Sequence, residues 1–253
     1  MSWKVYAKSV EGTSHIASGI PCQDSVKTIR LSTTKGDFLI LIAADGCGSS
    51  KHSDVGSELV TSEVSGCLAY WVGKSENMSN LSDLIIFAFG HANQMLSRKA
   101  KELSIPIREL ASTCLCSVIG PNTFAAAQIG DGVIVRQNNG VSGCLFWPNQ
   151  EYSNVTHTLI DKDWYCKTQV YNSSWFDDLA DCWFMATDGI QDIACDSKNR
   201  IPHPGFVSVL FDKFAATQIQ GDEVTGDSLD SFLRSKRINA VVNDDKTIVL
   251  ACR

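Results

Sequence analysis

The sequence lacks an excess of basic residues. Its 253 residues include 22 Lys and Arg against 28 Asp and Glu, which gives a formal net charge of −6 at pH 7. Binding to the phosphate backbone of nucleic acid depends on a basic surface. We therefore expect no nucleic-acid partner.

Long apolar segments are also absent. The longest apolar run, residues 38–44, is far shorter than the roughly 20 residues that a membrane-spanning helix needs. The first residues, MSWKVYAKSVEG, alternate polar and apolar side chains and lack the apolar centre of a signal peptide. These features predict a chain without a membrane segment and a cytoplasmic location.

The ten cysteines and five histidines show no spacing typical of a zinc site. There is no Cys-x-x-Cys pair, and the histidines are far from one another. Zinc sites in proteins use closely spaced ligands of these two types, so we expect no zinc. Cys67, Cys116, Cys182 and Cys252 lie in apolar segments, and a chain of this length can bury a core without disulfides. We expect reduced core thiols.

The order of the predicted elements indicates the fold class. Alternating and apolar patterns predict strands at residues 3–8, 25–31, 37–44, 111–119, 123–129, 133–137, 182–187 and 246–251. Helical spacing predicts helices from Ser53 to Trp71 and at 81–103, 205–217 and 228–236, with surface loops at 138–143 and 220–227. Strands grouped in this way predict an α+β fold of antiparallel sheets layered with helices, in one domain covering residues 1–253.

Acidic residues occur repeatedly at the ends of apolar strands. Three strands run directly into an Asp-Gly dipeptide, and a pair of aspartates precedes the last strand; these are Asp45-Gly46, Asp131-Gly132, Asp188-Gly189 and Asp244-Asp245. For any one of them a plain turn is the simpler interpretation. Glycine after the aspartate, however, permits a sharp turn and a close approach of the backbone to a ligand. If the strand ends converge, several carboxylates meet at one place.

A cluster of carboxylates favours divalent cations. Two negative charges 4 Å apart repel by about 4 kcal/mol at an effective dielectric constant near 20. The cluster must therefore hold protons or bind cations. Oxygen ligands without imidazole or thiolate suit Mg²⁺ or Mn²⁺.

The chain resembles a known family in a series of ordered motifs. They are GTSH at 12–15, PCQDS at 21–25, AADGCGSSKHSDVG at 43–56, ST at 112–113, IGDG at 129–132, ATDGIQD at 186–192 and DDKT at 244–247. These motifs are similar to those of the metal-dependent Ser/Thr protein phosphatases of the PPM, or type 2C, family, in its bacterial branch. The resemblance implies an αββα sandwich, in which two antiparallel sheets are flanked by helices.

The resemblance implies that Asp45 bridges two cations, with the carbonyl of Gly46 on the second. Asp188 and Asp244 resemble the other direct ligands of the first cation. Asp244 is preferred over its neighbour because the ligand of the family lies three residues before a hydroxyl residue, here Thr247.

Further residues match supporting positions of the family. Gln23 and Asp24 stand where acidic residues hold metal-bound waters, and Asp24 is the stronger candidate because it is charged. Thr113 matches a hydroxyl that holds water, and Asp131 and Asp192 match the ligands of a weaker third cation. The implied cofactors are two Mn²⁺ or Mg²⁺ ions. The implied chemistry is hydrolysis of phosphoserine and phosphothreonine in proteins by a water that two cations activate.

Two departures from the family pattern leave roles open. Many members carry a histidine, the proposed general acid, two residues after the bridging aspartate, where this chain has Cys47. We consider His52 for that role, with a histidine in a surface loop as the alternative. The arginine that binds substrate phosphate is missing between Gly12 and Asp24, and His15 is the candidate there, with ordering of the loop as the alternative.

Other functions are compatible with parts of the pattern. A phosphoaspartyl enzyme needs a second aspartate two residues after the first, where Cys47 stands, so that class is disfavoured. A catalytically silent sensor or interaction domain would have lost metal ligands, which are retained here. Hydrolysis of small phosphoesters would use the same metal centre and stays open. The expected partners are phosphorylated proteins, either a Ser/Thr kinase or its targets.

Overall fold

The computed structural model describes residues 3–74, 80–147, 156–173, 180–216 and 227–253. Its strands are β1 Lys4–Val10, β2 Asp24–Thr33, β3 Gly36–Asp45, β4 Cys114–Ile119, β5 Phe124–Ile129, β6 Val133–Asn138, β7 Val141–Cys144, β8 Gln169–Asn172, β9 Cys182–Ala186, β10 Cys195–Asp196, β11 Ile201–Pro202 and β12 Lys246–Cys252. Its α-helices are α1 Thr13–Ser18, α2 Ser53–Lys74, α3 Leu81–Leu103, α4 Trp164–Lys167, α5 Asp188–Ala194, α6 Val209–Ala216, α7 Asp227–Leu233 and α8 Lys236–Asn239. A short 3₁₀ helix covers Ile107–Leu110, and a π-helical turn, Pro204–Ser208, leads into α6.

Most of the strands form two five-stranded sheets. Sheet I has the order β1-β12-β9-β6-β7, and sheet II has the order β2-β3-β4-β5-β8. Neighbouring strands in both sheets are antiparallel. Strands β10 and β11 form a separate antiparallel pair.

Strand β3 shows why sheet II is covered on both faces. Successive side chains of a strand point to opposite faces, so a continuous apolar run needs cover on each side. Phe38, Ile40 and Ile42 pack in a core with residues of α2 and α3. Leu39 and Leu41, on the other face, belong to the core that sheet II shares with sheet I.

The remaining face of sheet I is also covered by helices. Val135 of β6 and Phe184 of β9 pack in one cluster with Ile190 of α5 and Phe211 of α6. The layers are therefore helix, sheet, sheet, helix, and the predicted α+β fold class and αββα sandwich are confirmed.

A polar contact joins the two sheets inside this sandwich. Trp183 of β9 is fully buried, and its indole N–H donates a hydrogen bond of 2.9 Å to the Oγ atom of Ser117 in β4. The indole therefore fills the space between the sheets while its polar atom keeps a partner.

Two of the differences between the structure and the predicted elements have a local cause. The predicted helix at 228–236 is two helices, α7 and α8, because the Ser235 side chain accepts the backbone N–H of Ile238 and starts a new helix. The predicted loop at 138–143 includes strand β7. Asn139 and Gly140 have positive φ angles of 49° and 76° and form the turn of a β6–β7 hairpin, for which Asn-Gly is a strong signal. Most of the loop predicted at 220–227 lies outside the described residues.

The prediction that all cysteines are reduced was wrong for one pair. Cys182 and Cys252 are directly opposite each other in β9 and β12, and a disulfide joins them. The sequence separates them by 70 residues, so only the pairing of the two strands brings them together. The other eight cysteines are free.

Within the described ranges, no helix combines the length and the apolar character that crossing a membrane requires.

Candidate metal centre

Three of the predicted aspartates come together where strands end. Asp45 is the last residue of β3, Asp131 lies between β5 and β6, and Asp188 begins α5 two residues after the end of β9. One carboxylate oxygen from each of the three can be chosen so that all lie within 4.8 Å of one another. The ends of strands from both sheets therefore bring these carboxylates to one place.

Asp24 adds a fourth carboxylate from the neighbouring strand. The register of β2 and β3 puts Asp24 directly opposite Asp45, and only 8% of Asp24 is exposed. Its Oδ2 atom accepts hydrogen bonds from the hydroxyls of Thr187 at 2.8 Å and Thr247 at 2.7 Å. Two donors on one oxygen fix the orientation of the buried carboxylate.

The carboxylates of the cluster disfavour one another's ionised form. Burial, followed by the charges of Asp24, Asp188 and Asp131, raises the pKa of Asp45 well above its usual value. Burial also raises the pKa of Asp24 to about 7, although the hydroxyls of Thr247 and Thr187 act in the opposite direction. The pKa of Asp188 rises to about 7 because of burial and of the charges of Asp131 and Asp24. The cluster can be fully ionised near neutral pH only if positive charge is supplied.

An open cavity of about 360 Å³ gives access to the cluster. The residues that line it are Gln23, Asp45, Gly46, Cys47, Gly48, Ser49, Thr156, Asp188 and Asp244. Burial and the nearby carboxylates raise the pKa of the Cys47 thiol to about 12. The charged donors are all carboxylate oxygens, and this donor set fits Mg²⁺ or Mn²⁺.

Thr113 holds the backbone of Asp45. The N–H of Asp45 donates a hydrogen bond of 2.9 Å to the Thr113 hydroxyl, and the N–H of Thr113 donates one of 2.8 Å to the carbonyl of Asp45. Thr113 is only 2% exposed. The residue predicted to hold water thus fixes the position of Asp45 from the position directly before β4.

Close backbone contacts explain two of the glycines that follow aspartates. A Cβ atom at Gly46 would lie 2.5 Å from the carbonyl oxygen of Ser53, and one at Gly189 would overlap the carbonyl oxygen of Asp245. At both positions a side chain would push backbone away from the cluster. Glycine therefore allows the loops around the carboxylates to pack closely.

The adjacent residues Asp244 and Asp245 have different environments. Asp244 is exposed and lines the cavity. Asp245 is 3% exposed, and its carboxylate accepts the backbone N–H groups of Gly12 at 2.7 Å and Gln23 at 2.6 Å. Asp245 therefore ties the N-terminal loop to the start of β12, while Asp244 faces the cavity.

Three predicted site residues lie apart from the described cluster. Asp192 is exposed, one turn after Asp188 in α5, and His52 is exposed; neither lines the cavity. The backbone N–H of His52 donates to the carbonyl of Glu109 at 3.1 Å. The Nδ1 atom of His15 lies 3.0 Å from a carboxylate oxygen of Asp245.

Sequence reasoning missed two hydroxyl groups of the site. Thr156 lines the cavity, and its hydroxyl donates a hydrogen bond of 2.6 Å to Asp131. No pattern around residue 156 could have indicated this contact. Thr187, which contacts Asp24, lies inside a quoted motif, directly before Asp188, but was given no role.

The fold and the cluster together define a class, namely layered α+β proteins with a carboxylate site for divalent cations. A family model described as Protein phosphatase 2C matches residues 11–234. Serine/threonine-protein phosphatase 3 of Escherichia coli (strain K12) is 30% identical over 255 residues, which cover 99% of this chain and 98% of that protein. The chain belongs to the protein phosphatase 2C family. The predicted family and enzyme class are confirmed.

Solved structures agree with this assignment at the level of the fold. A serine/threonine phosphatase from S. agalactiae has a TM-score of 0.66 at 12% identity, covering 99% of each chain. The catalytic domain of the serine threonine protein phosphatase PstP, in complex with 2 manganese ions, has a TM-score of 0.64 at 16% identity, covering 99% of this chain and 97% of that one.

Proposed function

We propose that this protein hydrolyses the phosphomonoesters of phosphoserine and phosphothreonine in other proteins, and that it needs Mn²⁺ or Mg²⁺. The observation that carries the proposal is the convergence of Asp45, Asp131 and Asp188 beside an open cavity that Asp45 and Asp188 line. Membership of the protein phosphatase 2C family supports the type of reaction. The name of the relative from Escherichia coli supports the choice of serine and threonine.

The proposed metal centre has two cations and a weaker third. Asp45 would hold both cations and the Gly46 carbonyl would hold the second, and Asp188 and Asp244 would complete the direct ligands of the first. The manganese count in the related PstP structure supports the number two. When bound, the cations supply a hydroxide nucleophile and neutralise charge on the phosphoryl oxygens.

Other residues support this centre from its surroundings. We assign Asp24 to an outer position, because the Thr187 and Thr247 hydroxyls hold it in place. Thr113 fixes the backbone of Asp45. Asp131 and Asp192 are the proposed ligands of the weaker cation, and only Asp131 lies in the described cluster.

The leaving serine or threonine alkoxide needs a proton. His52 stays our prediction for its source, and its exposed position outside the cavity lining requires that the substrate extend to it. His52→Ala should then slow the turnover of a phosphopeptide more than that of an aryl phosphate, whose leaving group departs without help. Equal effects on both substrates would exclude His52 as the proton donor to the leaving group.

The contact of His15 with Asp245 supports the loop-ordering alternative for this histidine. We propose that it stabilises the loop before β2 rather than binding substrate phosphate. His15→Ala should therefore leave KM for a phosphopeptide unchanged and lower the midpoint of thermal unfolding. A raised KM at unchanged stability would restore the phosphate-binding role.

We also propose a biological setting for this activity. The substrates are phosphorylated proteins, either a Ser/Thr kinase or its targets, and the enzyme acts in cytoplasmic signalling. Residues 1–253 form one phosphatase domain. The core shared by the two sheets supports that assignment.

The proposal is tested by phosphate release from a phosphothreonine peptide after removal of metal with a chelator. Activity should return with Mn²⁺ or Mg²⁺ in the wild type and should be absent in Asp45→Asn. Asp37→Asn is the matched control, because Asp37 is exposed near the other end of the same strand. Wild-type activity on aryl phosphates alone would indicate a hydrolase of small phosphoesters. Inactivity on both substrates would indicate a silent domain.

A further inference from the structure

Two free thiols meet outside the carboxylate cluster. The Sγ atom of Cys144, the last residue of β7, lies 3.8 Å from the Sγ atom of Cys195, the first residue of β10. They are 51 positions apart in the sequence. Neither lines the cavity, and the proposed phosphatase reaction uses neither.

The two thiols differ in their access to solvent. Cys144 is partly exposed at the edge of sheet I, whereas Cys195 is only 2% exposed. Cys144 is therefore the more accessible of the two residues to a small oxidant. Cys195 is placed to react with a group formed on its neighbour.

Hydrogen bonding between the thiols makes them chemically unequal. The hydrogen bond between the two thiols lowers the pKa of Cys144. The same contact, followed by burial, raises the pKa of Cys195. The accessible sulfur is thus the better nucleophile, since the thiolate is the reactive form of cysteine.

We propose that Cys144 and Cys195 form a dithiol site that reacts with hydroperoxides and closes to a disulfide. The Cys144 thiolate attacks an oxygen of the hydroperoxide, the O–O bond breaks, and a sulfenic acid forms. The released alkoxide or hydroxide takes up a proton. The Cys195 sulfur then attacks the Cys144 sulfur, the S–S bond forms, and hydroxide leaves with the Cys195 proton as water. Two thiols and one hydroperoxide give one disulfide, one water and one alcohol or second water.

Closure needs only a small movement. The sulfur atoms must approach from 3.8 Å to about 2 Å, a change that side-chain rotation and small backbone shifts can supply. Cys195 directly follows α5, which starts at Asp188, and Cys144 pairs with Val135 of β6. The new bond would fasten the end of α5 to the edge of sheet I.

The test uses the full chain as purified, treated with tert-butyl hydroperoxide and digested without reduction for peptide mass spectrometry. A peptide that links Cys144 to Cys195, lighter than the two reduced peptides by two hydrogen atoms, should form about tenfold faster than Cys166 is oxidised. Cys166 is the matched control because it is an exposed thiol without this neighbour. In Cys195→Ser, Cys144 should stop at the sulfenic acid and react with dimedone.

Three results would overturn the proposal. The first is oxidation of Cys144 no faster than that of Cys166. The second is wild-type Cys144 that passes to the sulfinic acid without forming the link to Cys195. The third is a link from Cys144 to Cys182 or Cys252 in place of Cys195. Digestion before aspartate separates Cys182 from Cys195, so the disulfide between Cys182 and Cys252 is followed in its own peptide of the same digest. Since phosphatase activity is not measured, the outcome is independent of the proposed function.

Discussion

Mutation of the two adjacent aspartates before β12 should have different effects, on stability for Asp245 and on the need for Mn²⁺ for Asp244. Asp245 is buried and accepts two backbone N–H groups, those of Gly12 and Gln23. A hydrogen bond to a charged group contributes about 1.5–3 kcal/mol, and removal of the acceptor leaves buried donors without a partner. We therefore expect Asp245→Ala to lower the free energy of unfolding by about 3–5 kcal/mol, a large share of the stability of a typical domain.

Asp244→Ala is the matched control, because Asp244 is exposed one position away. It should change the free energy of unfolding little and should raise the Mn²⁺ concentration needed for activity. The measurement is urea denaturation in the presence of a chelator, so that cation binding does not contribute to stability. Asp245→Asn, which retains one acceptor oxygen, should lie between Asp245→Ala and the wild type. Equal losses of stability in the two alanine variants would refute the separation of their roles.

Two further predictions concern pH and glycine. Because burial raises the pKa values of Asp24 and Asp188 from 3.8 to about 7 in the fold, the folded state binds more protons than the unfolded state between those values. Without metal, the free energy of unfolding should therefore fall as pH rises from about 4 to 7. A rise over the same pH range, measured by urea denaturation in the presence of a chelator, would contradict this. Gly189→Ala should destabilise the protein, because a Cβ atom at this position would overlap the carbonyl oxygen of Asp245. In α2, a Cβ atom at Gly66 would meet nothing within 4 Å, so Gly66→Ala should raise the free energy of unfolding by about 0.5–1 kcal/mol. Thermal unfolding compares the two alanine variants, and equal shifts would argue against close packing at Gly189.

Much of the fold could be predicted from local patterns. The apolar run in β3 is long enough and uniform enough to show that both faces of that strand are buried, and the helical spacing at 81–103 gives the bounds of α3. The helical spacing at 228–236 does not show that Ser235 starts a new helix. Asn139-Gly140 lies in a predicted loop, although this dipeptide is a common hairpin turn.

The candidate site was predictable in its residue types but not in its contacts. Asp45, Asp131 and Asp188 stand out because each follows an apolar strand and precedes glycine. The position of Asp24 opposite Asp45 depends on the register of β2 and β3, which local pattern does not specify. The contact of Thr156 with Asp131 depends on a loop distant in sequence from the strand ends.

Long-range strand pairing also explains why the disulfide between Cys182 and Cys252 was not predicted. Cys182 and Cys252 lie in strands that read as ordinary apolar segments, and each resembles a small core residue. They become partners only because β9 and β12 are neighbours in sheet I. Sequence patterns indicate which strands are buried, whereas long-range pairing is decided by how the whole chain packs.

The most direct test of the metal centre is calorimetric titration of Mn²⁺ into chelator-treated protein, comparing the wild type with Asp45→Asn and with the distant control Asp37→Asn. We expect two strongly bound Mn²⁺ ions per chain for the wild type and for Asp37→Asn, and loss of strong binding in Asp45→Asn. Strong Mn²⁺ binding that survives in Asp45→Asn would contradict a metal centre built around Asp45.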